Sequence, residues 1–202
     1  MKIDFQLPTD GKYHQYCIKC NSEHIHKIIK DTRTYYECED CKDISPRLIV
    51  VDPKIDCWVD EDTKEYWHKS VGIFVFNEDN EALFFERVMY PFVFTIPAGH
   101  LDIGEKPAEA VKRELLEETG LKIDAVKFTV QENIIGDKCW RGSDNHMWHL
   151  YVGKMKKTNN IILNDEGVKA TWLTLEQALN VPLPYPVEYF IKKYGNSLFQ
   201  DV

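Results

Sequence analysis

No apolar stretch of signal-peptide length opens the 202-residue chain; it begins MKIDFQLPTDGK, with an acid already at Asp4. Long hydrophobic runs are missing as well. The longest uncharged, apolar-rich one, Val88 to Leu101, contains two prolines and falls short of the roughly 18 residues a membrane span requires. A cytoplasmic location without a membrane partner is expected. Basic excess is the third absence. Lys and Arg total 25 against 33 Asp and Glu, a net charge of −8, which disfavours nonspecific binding to nucleic acid or anionic lipid. The deficit is not regional: residues 1–66 carry 10 basic and 14 acidic side chains, leaving 15 and 19 for residues 67–202, so each part is −4. Core-forming material is plentiful. Hydrophobic residues make up 44% and aromatics 12%, which excludes disorder as the main state, and the length suits one domain with a small companion.

Six cysteines are present, and four are patterned. Cys17, Cys20, Cys38 and Cys41 form two C-x-x-C pairs separated by 17 residues. Each pair can turn tightly and aim two thiolates at one point, and two such turns close a tetrahedral site suited to zinc. A pair of disulfides is the alternative, disfavoured in a reducing compartment. Four protein ligands leave no position for substrate, so this zinc is expected to be structural. His24 to Lys30 and Thr32 to Glu37, rich in β-branched and aromatic residues, read as a hairpin between the pairs. His24 and His26 are expected as strand residues rather than ligands, and Cys57 and Cys139 as ordinary free thiols. The whole resembles a zinc ribbon over residues 1–51. The acid-dense stretch 52–66 has no clear period and reads as a connector.

From Trp67 the pattern becomes that of a larger α/β domain, 67–202. Ser70–Asn77 and Ala82–Val88 read as buried strands, and Phe92–Ile96 as a third. Pro97, Ala98 and Gly99 are expected to end regular structure. Pro107 suits a first helical turn and Gly120 the residue past a helix end. Between them Glu114, Glu117 and Glu118 fall at i, i+3 and i+4, within a sector of roughly 100°. Such a face is usually a solvated acidic surface. It gains meaning when a hard divalent cation relieves the repulsion, because Mg²⁺ prefers oxygen ligands. Strands are expected at Lys122–Ile135, His146–Lys154 and Gly167–Leu173, and helices at Leu175–Leu179 and Tyr185–Tyr194.

The 23-residue string Gly99–Leu121 carries Gly99, Glu105, Arg113, Glu114, Leu115, Glu117, Glu118, Gly120 and Leu121. It resembles the Nudix box, G-x5-E-x7-R-E-U-x-E-E-x-G-U with U aliphatic, at every fixed position. The resemblance to the Nudix hydrolase superfamily covers about Trp67 to the C-terminus. It implies an α/β/α sandwich around a mixed sheet, with the box as a loop–helix–loop. It also implies hydrolysis of a diphosphate linkage in a nucleoside diphosphate joined to another group, with Mg²⁺ or Mn²⁺. Carried over by position, Glu114, Glu117 and Glu118 are metal ligands and Gly99 adds its carbonyl. Arg113 holds the glutamates, and Glu105 binds metal or braces the loop. The general base is a box glutamate or one from a later loop. Here the later candidate is Glu166, in an N-D-E-G sequence that is equally good chemistry for a polar turn.

Ribbon followed by Nudix domain resembles the layout of NADH pyrophosphatases, which leaves ADP-ribose or a dinucleotide such as NADH in view. Their S-Q-P-W-P-F-P-x-S array is absent: residues 122–145 contain no proline, and PLPYP at 182–186 lies far too late. The proline or tyrosine of other relatives about 16 residues past the box is replaced by Asp137. Ala98 gives the P-A-G form common in ADP-ribose and NADH enzymes. Gly136–His149 (GDKCWRGSDNHMWH) offers Trp140 to stack on a base and Arg141 to fork onto a phosphate. It reads either as a substrate loop or as a hairpin loop with Trp148 in the core. A noncatalytic nucleotide sensor or adaptor is the contrasting function class, countered by the intact box. A small nucleotide is the expected partner, and a homodimer stays open.

Overall fold

The computed structural model describes residues 1–200. The ribbon begins with β1 (His14–Tyr16), β2 (Ile25–Lys30), β3 (Arg33–Cys38), β4 (Ile44–Ser45) and β5 (Ile49–Val51). β2, β3 and β4 form an antiparallel sheet, and β1 pairs with β5. Asp31 and Thr32, both at positive φ, make the two-residue turn between β2 and β3; two such residues match the right-handed twist of the flanking strands. The two C-x-x-C segments are built alike. Asn21 N–H donates to Cys17 O and Lys42 N–H to Cys38 O, and both closing residues take the left-handed conformation.

The larger domain adds β6 (Cys57–Val59), β7 (Tyr66–Phe76), β8 (Ala82–Arg87), β9 (Phe94–Thr95), β10 (Ala98–His100) and α1 (Pro107–Thr119). After them come β11 (Lys127–Ile135), β12 (Asn145–Lys154), β13 (Gly167–Leu173), α2 (Leu175–Leu179) and α3 (Tyr185–Gln200). The main sheet runs β11-β12-β7-β8-β13, with β6 and β10 also on β7 and β9 on β8. β7 and β12 are parallel over ten residue pairs while the other pairings are antiparallel, so the sheet is mixed.

From Val71 to Phe76 β7 is apolar on both faces, as a strand covered on both sides must be. Val71, Ile73 and Val75 face the cluster that holds Val111 and Leu115 of α1. Phe74 and Phe76 face the cluster that holds Ala178 of α2 and Phe190 and Ile191 of α3. Helices therefore cover both faces, which gives the α/β/α sandwich. α1 starts on Pro107 and ends where Gly120, at φ +69°, donates its N–H to Leu116 O.

Several boundaries differ from the sequence reading. Ala98–His100 does not end regular structure; it forms β10, because the long edge of β7 offers unpaired groups opposite it. β11 begins at Lys127, since the ladder with β12 stops at Val152 and leaves residues 122–126 without a partner strand. The C-terminal helix continues past Tyr194 to Gln200, using Leu198 and Phe199 in the core. Within 52–66, β6 pairs with the start of β7. Among the described residues, no helix is long and apolar enough to cross a membrane.

The ribbon lies against the segment joining β11 to β12. Leu48 N–H donates to Trp140 O and Val50 N–H to Arg141 O. Arg47 donates to Cys139 O and Ser143 O and pairs with Asp144. Tyr36, Leu48 and Val50 form an apolar cluster with Trp140.

Candidate active site

α1 aims its glutamates at β10. Glu118 is 4% exposed, and its Oε2 accepts the Ala98 N–H at 2.8 Å. Glu114 packs against Gly99. A Cβ added at Gly99 would lie 2.1–2.3 Å from the Glu114 carboxylate, so only glycine lets that carboxylate approach the strand. Glu117, more than half exposed, stands on the open side. Arg113 joins the group. Its Nε and Nη2 fork onto Glu105 at 3.0 and 2.9 Å, and its Nη1 reaches Glu114 at 2.7 Å and Glu117 at 3.2 Å. Nη2 also donates to His100 O.

The electrostatics follow from burial. Desolvation pushes the Glu114 carboxyl up to about 7, opposed by Arg113. It pushes Glu118 well above the carboxylate range, with Glu114 adding repulsion. Glu105 moves the other way, because its hydrogen bond from Arg113 favours the ionised form. One buried and one nearly buried carboxylate that resist ionising together, offering oxygen ligands, fit a hard divalent cation. The residues present thus suit Mg²⁺ or Mn²⁺.

The carboxylates open on a cleft of roughly 280 Å³. Glu166 lines it too, placed by the turn before β13, where its N–H donates to Asn164 Oδ1. The turn chemistry and the cleft position coexist. Glu166 Oε2 lies 3.7 Å from Arg87 Nη2, at the end of β8. Nothing in the sequence pattern singles out Arg87, a lone arginine closing an apolar strand. It lines the cleft with its side chain 14% exposed, and its buried Nε has no hydrogen-bond partner.

Trp140 and Arg141 also border the cleft, and both are engaged. Trp140 stacks on Tyr36 of the ribbon at 6.0 Å between centroids, and Arg141 lies over the Trp140 ring and pairs with Asp52 at 2.9 Å. Trp148 is buried, donating its Nε1–H to Asp137 Oδ2 at 2.7 Å.

The four ribbon cysteines come together. Cys17 and Cys41 are 3.6 Å apart at sulfur, as are Cys20 and Cys38, and all four sulfurs lie within 4.8 Å of one another. Tetrahedral zinc with bonds of about 2.3 Å sets sulfur–sulfur edges of about 3.8 Å, so the donor set fits zinc. His24 and His26 are turned to Asp40, Glu37 and Glu39.

Known proteins share this fold and family. The family described as NUDIX domain matches residues 66–194. An RNA pyrophosphohydrolase of Wolbachia sp. subsp. Brugia malayi (strain TRS) is 28% identical over 141 residues, 63% of this chain and 87% of its own length. The methanol dehydrogenase activator of Bacillus methanolicus is 33% identical over 116 residues, 54% of this chain and 60% of its own. Among solved structures, the NUDIX domain of Shewanella oneidensis NrtR complexed with ADP ribose aligns with a TM-score of 0.56 at 20% identity, covering 64% of this chain and 87% of that one. A C. elegans Ap4A hydrolase aligns at 0.53 and 20%, covering 64% and 96%. With the box intact and its carboxylates gathered on one cleft, the chain belongs to the Nudix hydrolase superfamily.

Proposed function

We propose that this enzyme cleaves the diphosphate linkage of a nucleoside diphosphate derivative with Mg²⁺ or Mn²⁺ held by Glu114, Glu117, Glu118 and the Gly99 carbonyl. The observation that carries the reading is the buried Glu114–Glu118 pair against Gly99, braced by Arg113 and facing a cleft with a second arginine. A divalent cation bound there would neutralise diphosphate oxygens and make a bound water more acidic. The chain's own groups do the rest. Arg113 fixes the carboxylates' orientation, so little reorganisation accompanies the reaction. Arg87 offers its guanidinium to a phosphate oxygen. Glu166, half-exposed beside Arg87, takes the proton of the attacking water; Glu105, locked in a fork with Arg113, serves as the brace. Arg141 and Trp140 frame the rim where the nucleoside would lie.

The Cys₄ cluster is proposed as a structural zinc site, which accords with a cytoplasmic location where thiols stay reduced. The division into ribbon (1–51), connector (52–66) and Nudix domain (67–202) belongs to the same proposal.

The test is phosphate release, coupled to a phosphatase, from a panel with Mg²⁺. It includes ADP-ribose, NADH, FAD, CoA, diadenosine polyphosphates, NDP-sugars, dNTPs and an RNA bearing a terminal phosphoanhydride. At least one substrate is expected to turn over. Silence across the panel, or full activity in the Glu117→Gln, Glu118→Gln double variant, overturns the reading.

A further inference from the structure

Three imidazoles and a thiol meet beside the cleft, and the carboxylate chemistry uses none of them. His68 lies on β7, His100 on β10, His146 on β12 and Cys139 in the segment between β11 and β12. Strand register brings the histidines to one face of the sheet. His146 pairs directly with His68 in the parallel ladder, and His100 pairs with Ser70, two residues along β7 from His68. One ligand atom from each of the four residues lies within 4.8 Å of all the others.

The spacing is that of a coordination shell. His68 Nδ1 is 3.1 Å from His100 Nε2 and 3.7 Å from Cys139 Sγ. Metal bonds of about 2.0–2.1 Å to nitrogen and 2.3 Å to sulfur place tetrahedral edges at about 3.3 Å between nitrogens and about 3.6 Å between nitrogen and sulfur. Both observed edges lie close to these values. Surroundings agree. His68 and His146 are 1% and 2% exposed, and the one Nδ1 of His68 faces both His100 Nε2 and Cys139 Sγ, more partners than a single ring nitrogen can serve by hydrogen bonding. His146 Nδ1 lies 3.0 Å from Asp137 Oδ2, which Trp148 Nε1–H also reaches. That carboxylate stands at ion-pair distance from the imidazole but off the line of a hydrogen bond, so it supplies charge beside His146. Cys139 is held in turn, because its N–H donates to Ser143 O and its carbonyl accepts from Arg47 of the ribbon.

We propose that His68, His100, His146 and Cys139 bind a second zinc ion, distinct from the ribbon zinc and from the hard cation of the box. Three nitrogens and one thiolate select a borderline-soft metal over Mg²⁺. With four protein ligands the site is closed and structural. Its work is to fasten the segment carrying Trp140 and Arg141 to the central strand, so that the cleft wall is fixed from both sides: by the ribbon outside and by the metal inside.

The experiment is zinc stoichiometry by mass spectrometry on full-length protein, purified with reductant and zinc, then dialysed against excess Mg²⁺ to clear the box carboxylates. Two zinc ions per chain are expected. Cys139→Ser and His68→Asn should each retain one, Cys17→Ser should also retain one, and Cys57→Ser, outside both clusters, should keep two. Should a variant fold poorly, cobalt replacement in the wild-type protein decides. Two cobalt ions per chain, one with the spectrum of four thiolates and one with that of a single thiolate, support the proposal. One metal per chain with only the four-thiolate spectrum, or unchanged zinc content in folded Cys139→Ser and His68→Asn, overturns it.

Discussion

Glu118 shows what a single residue carries in this site. It is a buried carboxylate with one N–H donor and a carboxylate neighbour, so its ionised form depends on a cation. Glu118→Gln keeps the shape and the Ala98 contact but removes the charge. A loss of several kcal/mol in transition-state stabilisation, on the order of a hundredfold to ten-thousandfold in kcat, is expected from steady-state kinetics. Gly99→Ala tests the same geometry from the strand side. Its methyl would occupy the space of the Glu114 carboxylate, so activity should fall by at least about tenfold while the fold, read by circular dichroism, is retained. Glu166→Gln separates proton transfer from binding: kcat should fall by roughly 10² to 10⁴ with KM little changed. An unchanged kcat would move the base elsewhere.

These residues were unequally legible. Glu114, Glu117 and Glu118 follow helical spacing, and with Gly99 they fall in one 23-residue string, so the resemblance to the Nudix box made their shared site legible. Arg87, Asp137 and the histidine cluster could not. Their neighbours are set by the register of strands distant in the chain, and no local period links His68 to His146.

At the scale of elements, α3 is fastened to β11 through one carboxylate. Glu132 accepts from Tyr189 Oη, Tyr194 Oη and Lys193 Nζ, and these bonds outweigh partial burial and hold its pKa below the ordinary 4.5. A depressed pKa contributes stability above pH 4.5 that is lost as pH falls through the folded value. Glu132→Gln should therefore lower the unfolding free energy at pH 7 by about 1–2 kcal/mol, and the difference from wild type should shrink below pH 4.5 in denaturant titrations. An equal difference at both pH values would reject the assignment. The long helices and apolar strands were readable because propensity and packing agree in them. β10 and β6 were not, since Ala98–His100 and Cys57–Val59 are strands only by virtue of the edge that β7 presents.

Across the whole molecule, the ribbon acts on the cleft through the segment before β12. Arg47 binds two carbonyls and Asp144 there, and Trp140 rests on Tyr36. Arg47→Ala should cost roughly 2 kcal/mol or more of stability, measured by denaturant unfolding. It should also raise KM more than it lowers kcat, because it loosens the rim and leaves the box carboxylates in place. The two C-x-x-C pairs made the ribbon visible in the sequence, but its role as a wall of the neighbouring domain rests on contacts between residues about 90 positions apart.

The parallel pairing of β7 with β12 sets an order of events during synthesis. Its partners are 78 positions apart, from Trp67 to Asn145. The ribbon closes on short loops and can gather its four cysteines as soon as Cys41 is free of the ribosome, whereas the central ladder must wait for a far larger loop to close. A nascent chain ending before Lys154 has the whole Nudix box but lacks the complete strand that sets its floor. Catalytic competence should therefore appear late and abruptly in a series of stalled chains of increasing length, well after the acidic helix itself has emerged.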